Sequence, residues 1–192
     1  MSRLWWVRHG PTHAKALAGW RDIPADLSDT AALARLDAAL PAGALLISSD
    51  LIRARDTAAA LARGRRLLPA DPDLRELHFG DWDGLHHAEV SARWPDLSRA
   101  FWEDPGAVAP PGGESWHQAE ARISAAVARL TEAHPGAEIV LVAHMGAILT
   151  QYALAARLTP AEALAQRIDP LSITRLDRAH SRWQVGCVNH IP

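Results

Sequence analysis

Residues 4–10, Leu-Trp-Trp-Val-Arg-His-Gly, place a short apolar run directly before three residues of different chemistry. Four consecutive apolar residues are typical of a strand that is buried on both faces of a parallel sheet. Two further runs have the same character, at residues 44–49 and 138–143. The sequence therefore predicts three buried strands at these places.

Segments with helical character separate the predicted strands. The candidate helix starts are Ser28, Asp50, the capping boxes at 115–118 and 159–162, and a position near Gly146. Gly64 is a candidate helix stop. This alternation predicts an α/β fold with a mostly parallel, doubly wound sheet and helices on both faces. Residues 171–177 and 182–188 alternate in polarity and predict a terminal hairpin or two edge strands.

Residues 78–114 differ from the rest of the chain. They contain two short helical patterns among Trp, Pro and Gly residues, and we interpret them as a small helical insertion over the sheet. A chain of 192 residues is otherwise the length of one domain, so we expect residues 1–192 to form a single domain.

The composition excludes several classes of protein. Hydrophobic residues make up 48% and charged residues 22%, as in ordinary globular proteins. A net charge of −2 gives no broad field for nucleic acid or anionic lipid. There is no apolar run long enough for a transmembrane helix, no signal-peptide pattern, and only one cysteine, Cys187. We expect a cytoplasmic protein with no nucleic-acid or membrane partner.

Ligands of open α/β sheets bind beyond the carboxyl ends of the strands. The polar residues that follow the predicted strands, or an extended piece at 74–77, are Arg8, His9, Arg53, Arg55, Glu76 and His144. Guanidinium groups match phosphate oxygens, a neutral imidazole can accept a phosphoryl group, and a carboxylic acid can protonate a departing alcohol. The set therefore favours phosphoryl transfer.

Arg53 and Arg55 are alternative candidates for the arginine that contacts the phosphate. Two residues apart on a helix, their side chains point about 200° apart, so only one can face the pocket. Helical geometry alone does not decide between them.

Five ordered segments carry a resemblance to a known family. They are residues 4–12, 48–58, 74–84, 111–115 and 142–146. Together they resemble the histidine phosphatase superfamily, in its phosphoglycerate-mutase-like branch. The resemblance extends along nearly the whole chain and implies the fold of that branch, with the insertion lying over the active site.

The resemblance also implies roles for individual residues. It makes His9 the nucleophile that forms a phosphohistidine, and Glu76 the proton donor and then the general base. Arg8, Arg53 and His144 hold the phosphoryl oxygens, and Arg53 is favoured over Arg55. It implies no metal and no other cofactor, and the adjacent pair at 86–87 lacks the spacing of a metal site.

Further substrate contacts are predicted around the same pocket. The candidates are Thr12, Lys15, His78, Trp82 and Met145. Lys15 stands where many family members carry Asn, so it either binds a second anionic group of the substrate or is a solvated surface lysine. The tryptophans in or beside the insertion, Trp82, Trp94, Trp102 and Trp116, either form its small core or provide a wall for an organic leaving group.

These features favour a metal-independent phosphomonoesterase that acts on a small organic phosphate with an apolar or aromatic part. The insertion offers only Arg93 and Arg99 as basic residues, fewer than a mutase is expected to need. Residues 79–84 and the short chain resemble the α-ribazole and broad-specificity phosphatases of the family. A mutase-type phosphoryl transfer and a non-catalytic phosphate-binding module remain alternatives, and a homodimer is the candidate assembly.

Overall fold

In the computed structural model, which describes residues 2–179 and 182–192, a six-stranded sheet forms the centre of the molecule. The strands are β1 (Arg3–Arg8), β2 (Leu45–Ser48), β3 (Arg66–Leu67), β4 (Glu138–Ala143), β5 (Ile173–Ala179) and β6 (Arg182–His190). Their order is β3-β2-β4-β1-β5-β6. The first four of these are parallel, and β5 and β6 are antiparallel. The mostly parallel sheet is therefore confirmed.

Seven α-helices in the described part of the chain accompany the sheet. They are α1 (Thr30–Ala39), α2 (Ile52–Ala60), α3 (His87–Arg93), α4 (Pro95–Glu103), α5 (Trp116–Ala133), α6 (Met145–Ala156) and α7 (Pro160–Leu164). Within the described residues, none of them is long and apolar enough to cross a lipid bilayer.

Alternate residues of the central strands point to opposite faces, as the pleat of a strand requires. Along β4, Ile139 and Leu141 pack into one apolar cluster, which includes residues of α5 and α6. Val140 and Val142 pack into a second cluster, which includes Leu36 of α1 and residues of α2. Helices therefore cover both faces, and the doubly wound arrangement is confirmed.

Both predicted capping boxes form. The Ser115 hydroxyl accepts from the Gln118 backbone N–H while the Gln118 side chain accepts from Ser115, and Thr159 and Glu162 do the same. The predicted terminal hairpin also pairs as expected. His180, interpreted from the sequence as a surface or locally paired histidine, lies between β5 and β6 and outside the described residues.

Two other predicted helix starts are wrong. The N-cap of α1 is Asp29, one residue after Ser28. Asp50 caps nothing, because its carboxylate is engaged by the guanidinium of Arg75, with Nε 2.6 Å from Oδ1. The Ile52 N–H at the start of α2 instead donates to Asp22 Oδ1 at 2.6 Å.

The insertion contains the two expected helices, α3 and α4, and packs on the same apolar cluster as one face of the sheet. Trp82 is fully buried there, with its ring 5.3 Å from that of Phe101 and 6.3 Å from that of Trp94. The prediction of Trp82 as a substrate contact is therefore wrong, because this side chain packs the core of the insertion.

Candidate active site

His9 lies just beyond the end of β1, at the carboxyl edge of the sheet. Its backbone N–H donates to the Ala143 carbonyl of β4 at 3.0 Å, which continues the strand pairing through this residue. Its Nδ1 lies 2.7 Å from the Gly10 carbonyl oxygen. Nδ1 is therefore the protonated nitrogen, and the lone pair of Nε2 accepts from Arg53 Nε, which lines the same cavity.

His9 is held as a neutral ring. Burial away from water lowers its pKa to about 3, and the positive charges of Arg53 and Arg8 lower the pKa as well. A neutral imidazole keeps the Nε2 lone pair that a nucleophile needs.

Arg53 comes from the first turn of α2 and is almost fully buried. Its Nε lies 3.2 Å from His9 Nε2 and 3.2 Å from His144 Nδ1. Its Nη atoms donate to main-chain carbonyls in the loop of residues 18–21, at 2.7 Å for Arg21 and 2.7 Å for Gly19. Arg55 is exposed on the same helix. The structure thus brings Arg53, not Arg55, to the two histidines.

His144 ends β4 and directly precedes α6. Its ring is fully buried, with its centroid 5.0 Å from that of His9. Burial lowers its pKa well below the usual value, with further lowering by His9 and the nearby arginines. Because Nδ1 accepts from Arg53, the proton of the neutral ring belongs on Nε2.

Two buried donors in this region have no protein partner among the described residues. They are Nε2 of His144 and Nε of Arg8, the last residue of β1. Burial lowers the pKa of Arg8, but a guanidinium remains cationic across the physiological range. Unpaired buried donors are costly, and an oxyanion between them would satisfy both. The N-terminus of α6, beside the same cavity, adds a favourable dipole for an anion.

Glu76 places a carboxylate in the cavity lining and is mostly buried. One of its carboxylate oxygens accepts from the Leu77 N–H at 2.9 Å. Its main-chain carbonyl accepts from Trp20 Nε1 at 2.7 Å and from Arg122 Nη2 at 3.2 Å. The predicted extended piece at 74–77 begins one residue late, because a 3-10 turn covers Pro72–Leu74; the backbone is extended at Arg75 but joins no strand.

Gly146, in the first turn of α6, leaves room for this carboxylate. A Cβ at this position would collide with Glu76 Oε1 and would stand 2.8 Å from the Leu77 side chain. The absence of a side chain at Gly146 therefore allows Glu76 to approach the helix.

These groups meet at a cavity of about 360 Å³. Seven of the residues singled out from the sequence line it: Arg8, His9, Thr12, Lys15, Arg53, Glu76 and Met145. His144 lies behind Arg53 and is fully buried. We call Arg8, His9, Arg53, Glu76 and His144 the inner pocket.

Two predicted contacts are absent from the lining. Trp82 lies in the insertion core, as described above. His78 packs edge-on against Trp20, with ring centroids 4.3 Å apart, so its prediction as a substrate contact is not supported by its position.

Sequence reasoning missed one lining histidine, and it named the lining tryptophan only as one of four candidates for an apolar wall. His87 and Trp102 line the cavity, although the sequence analysis favoured His78 and Trp82. Both come from the insertion, on α3 and α4 respectively. A helical projection of α4 would have separated Trp102 from its buried neighbour Phe101, and this was the available signal.

Metal binding was also considered from the sequence, at the adjacent pair 86–87. Among residues 2–179 and 182–192, no three His, Cys, Asp or Glu side chains cluster in a way that could hold a metal ion.

Comparison with known proteins places these observations in a family. Residues 4–191 match the profile of the histidine phosphatase superfamily, branch 1. The chain belongs to this superfamily. The resemblance drawn from the five sequence segments is therefore confirmed, and so is the phosphatase-like character of the chain.

Relatives and solved structures agree with this assignment. The chain is 38% identical over 160 residues to a glucosyl-3-phosphoglycerate phosphatase of Mycobacterium tuberculosis, covering 76% of this chain and 71% of the relative. It is 31% identical over 170 residues to the adenosylcobalamin/alpha-ribazole phosphatase of Escherichia coli, covering 84% of this chain and 82% of the relative. The solved structure of Bacillus stearothermophilus YhfR superposes with a TM-score of 0.90 at 26% identity, covering 100% of this chain and 98% of that one.

Proposed function

We propose that this protein hydrolyses phosphomonoesters through a phosphohistidine at His9. The observation that carries the proposal is the neutral His9 ring, whose Nε2 lies 3.2 Å from Arg53 Nε. In the same region Arg8 Nε and His144 Nε2 are buried donors with no partner among the described residues. A phosphoryl group bound to those donors stands within reach of the nucleophile. The phosphatase names of the two relatives support the same reaction class.

In the first step, the Nε2 lone pair of His9 attacks phosphorus and forms the P–N bond. The bond between phosphorus and the alcohol oxygen breaks, and that oxygen takes a proton from Glu76. The Gly10 carbonyl holds the Nδ1 proton, so the ring keeps the required tautomer as positive charge develops. Arg8, Arg53 and His144 stabilise the charge that spreads over the phosphoryl oxygens.

In the second step, the Glu76 carboxylate removes a proton from a water molecule. The water oxygen attacks phosphorus, the P–N bond breaks, and its electron pair returns to His9 Nε2. The products are the free alcohol and inorganic phosphate. Glu76 is protonated again and His9 is neutral again, so the site is ready for another substrate.

The insertion favours hydrolysis over a mutase reaction. Its two arginines, Arg93 and Arg99, are exposed, are paired with Glu89 and Asp96, and are absent from the cavity lining. The insertion therefore contributes no arginine to the cavity with which to retain a doubly charged phosphoglycerate between half-reactions.

The test measures inorganic phosphate released from a panel of monoesters, together with any isomerised phosphate ester. Wild-type protein is expected to release phosphate stoichiometrically with alcohol, and His9→Ala is expected to release none while keeping its circular dichroism spectrum. Isomerised product without phosphate release would identify a mutase. Tight phosphate binding without turnover would identify a non-catalytic module.

We further propose that turnover needs no metal, since Arg8 and Arg53 supply the positive charge at the phosphoryl group. Activity that is unchanged after dialysis against EDTA is the expected result, and loss restored by Mg²⁺ would contradict it. A cytoplasmic location and a homodimer stay predictions, which fractionation of the native cells and light scattering can test.

A further inference from the structure

Three of the side chains that line the cavity outside the inner pocket are Lys15, His87 and Trp102. We call them the outer rim. Lys15 belongs to the long loop that follows β1, whereas His87 and Trp102 belong to the insertion. Lys15 and His87 are exposed and Trp102 is half-buried, unlike the buried histidines and Arg53 beneath them.

Lys15 is the only lysine in the chain, and its ammonium group is unmatched. Across the described part of the chain, no carboxylate lies within ion-pair distance of it, although most other basic groups near the site are paired or hydrogen-bonded. An exposed lysine with no internal partner is free to meet a ligand.

The charge balance of the cavity indicates what kind of group Lys15 can bind. Among the described residues, the lining holds the three cations Arg8, Lys15 and Arg53 and one carboxylate, Glu76. In the first step of the proposed reaction, Glu76 carries a proton and is neutral. A phosphomonoester is close to a dianion at neutral pH, so it offsets the two arginines and leaves the charge of Lys15 without a partner. A further negative charge on the alcohol would complete the balance.

Trp102 gives the rim a flat apolar surface. Its ring lies 5.3 Å from that of His87 and 4.8 Å from that of Phe101, both edge-on, so neighbours on either side fix its orientation. Phe79 and Leu164 add apolar lining nearby. Aromatic walls of this kind bind rings and other flat carbon frameworks.

We propose that the outer rim selects phosphomonoesters whose alcohol carries a carboxylate and a ring, with the carboxylate held by Lys15 and the ring against Trp102. This inference rests on the proposed hydrolysis at His9. It names the substrate class of that same site, which the inner pocket leaves undefined because its residues contact only the phosphoryl group and the bond that breaks.

The test uses a matched pair of substrates, 4-carboxyphenyl phosphate and 4-carbamoylphenyl phosphate. They have nearly the same shape but differ by one negative charge. Comparing the preference between protein variants cancels the intrinsic reactivity of each ester. In Lys15→Met, the wild-type preference in kcat/KM for the carboxylate is expected to fall by about fivefold, which is the effect of losing one exposed ion pair. Lys15→Arg is expected to retain most of it.

A matched control tests whether any cation near the insertion would act in the same way. Arg99→Met removes an exposed charge that does not line the cavity, so the preference is expected to stay at its wild-type value. The preference of the wild type is also expected to shrink at high salt, because exposed charges are screened. A preference that is equal in wild type and Lys15→Met overturns the proposal.

The ring contact has its own comparison. In Trp102→Leu, phenyl phosphate is expected to lose about fivefold in kcat/KM relative to ethyl phosphate. Trp94→Leu weakens the same insertion without touching the cavity, so it is expected to leave this ratio unchanged. Equal effects of the two variants would show that Trp102 acts only through the fold of the insertion and would overturn its assigned role.

Failure of the rim and failure of the reaction give different results. If the rim assignment is wrong, esters are still hydrolysed through His9, but the ratio of kcat/KM between the two substrates is the same in the variants as in the wild type. If the proposed function is wrong, either the wild type hydrolyses no ester or His9→Ala still hydrolyses esters, and both results are independent of the ratios.

Discussion

The inner pocket and the outer rim meet at one cavity but are built in different ways. Four of the five inner residues stand at the ends of β1 and β4 or in the first turn of α2, and Glu76 follows the 3-10 turn at Pro72–Leu74. His9, Arg53 and His144 are almost completely buried. The rim residues come from a loop and from an insertion, and they are exposed or half-buried.

This difference separates the chemistry from the choice of substrate. Side chains held by a rigid sheet edge can keep the geometry that phosphoryl transfer needs. Side chains on loops and insertions can change without disturbing that geometry, and such positions commonly decide which ligand binds. Damage to the inner pocket should therefore affect every ester, whereas changes in the rim should affect some esters only.

After the complete loss expected from His9→Ala, the largest effect is expected from Glu76→Gln, and it tests whether the inner pocket supplies the proton. Alkyl phosphates should lose about a thousandfold in kcat/KM, because an alkoxide is a poor leaving group without general acid catalysis. 4-Nitrophenyl phosphate should lose far less, since its leaving group departs as an anion. Steady-state kinetics with both esters measures the difference.

Glu103→Gln, an exposed carboxylate at the end of α4, is the control and should leave both rates unchanged. Equal slowing of the two esters by Glu76→Gln would remove this residue from the role of acid.

The next effect is expected from Arg53→Ala, at about a hundredfold in kcat for all esters, because one preorganised donor to the transferring group is lost. Arg55→Ala, two residues away but exposed, should have no effect. Since Arg53 also holds the carbonyls of the 18–21 loop, Arg53→Lys separates the two contributions: it keeps the charge but not the fork of donors. An Arg55→Ala variant as slow as Arg53→Ala would break the distinction between inner and outer groups.

A smaller effect is expected from Gly146→Ala, which places a methyl group against the Glu76 carboxylate. We expect about a tenfold loss of kcat for alkyl phosphates and a smaller loss for 4-nitrophenyl phosphate, because the displaced group is the acid. Gly43→Ala is the matched control, since a Cβ there meets nothing within 4 Å. Loss of activity in both variants, or in neither, would contradict the role of Gly146.

The smallest effect concerns stability and reports on the burial of the inner pocket. Unfolded histidine binds a proton below about pH 6.5, whereas His9 in the folded protein stays neutral down to about pH 3. The unfolded state therefore binds more protons in this window, and the free energy of unfolding should fall as the pH is lowered from 6.5. The contribution of His9 is about 1 kcal/mol per pH unit.

Urea denaturation at pH 7 and at pH 5.5 measures this dependence. His9→Asn should make the decline shallower than in the wild type, because asparagine does not titrate. Parallel declines in the two proteins would show that His9 is not held neutral by burial.

The sequence predicted the inner pocket because simple rules govern where its residues lie. Arg8, His9 and His144 follow buried parallel strands, whose carboxyl ends must share one edge of the sheet. Arg53 was separated from Arg55 by helix geometry together with the family resemblance, and the structure agrees. Each residue was fixed by an element whose position follows from the order of the strands.

The outer rim and the helix caps were predicted less accurately, because contacts between distant segments decide where these side chains lie. Asp50 had the position of a helix cap, but Arg75, distant in sequence, binds its carboxylate. Trp82 and Trp102 lie in the same insertion and have the same side chain. Trp82 is the buried one because it packs against both Phe101 and Trp94, whereas Trp102 packs against Phe101 and lines the cavity. Contacts between segments of an irregular insertion leave no periodic signal in the sequence.

The most direct test of the account is to look for phosphate on His9 itself. The protein is mixed with 4-nitrophenyl phosphate, quenched within milliseconds in alkali, digested and analysed by mass spectrometry. The account predicts a phosphoryl group on the imidazole of His9 that is stable in base, lost in acid and absent from the His9→Ala variant. Rapid hydrolysis with no phosphohistidine at this position, or with the label on another residue, would contradict it.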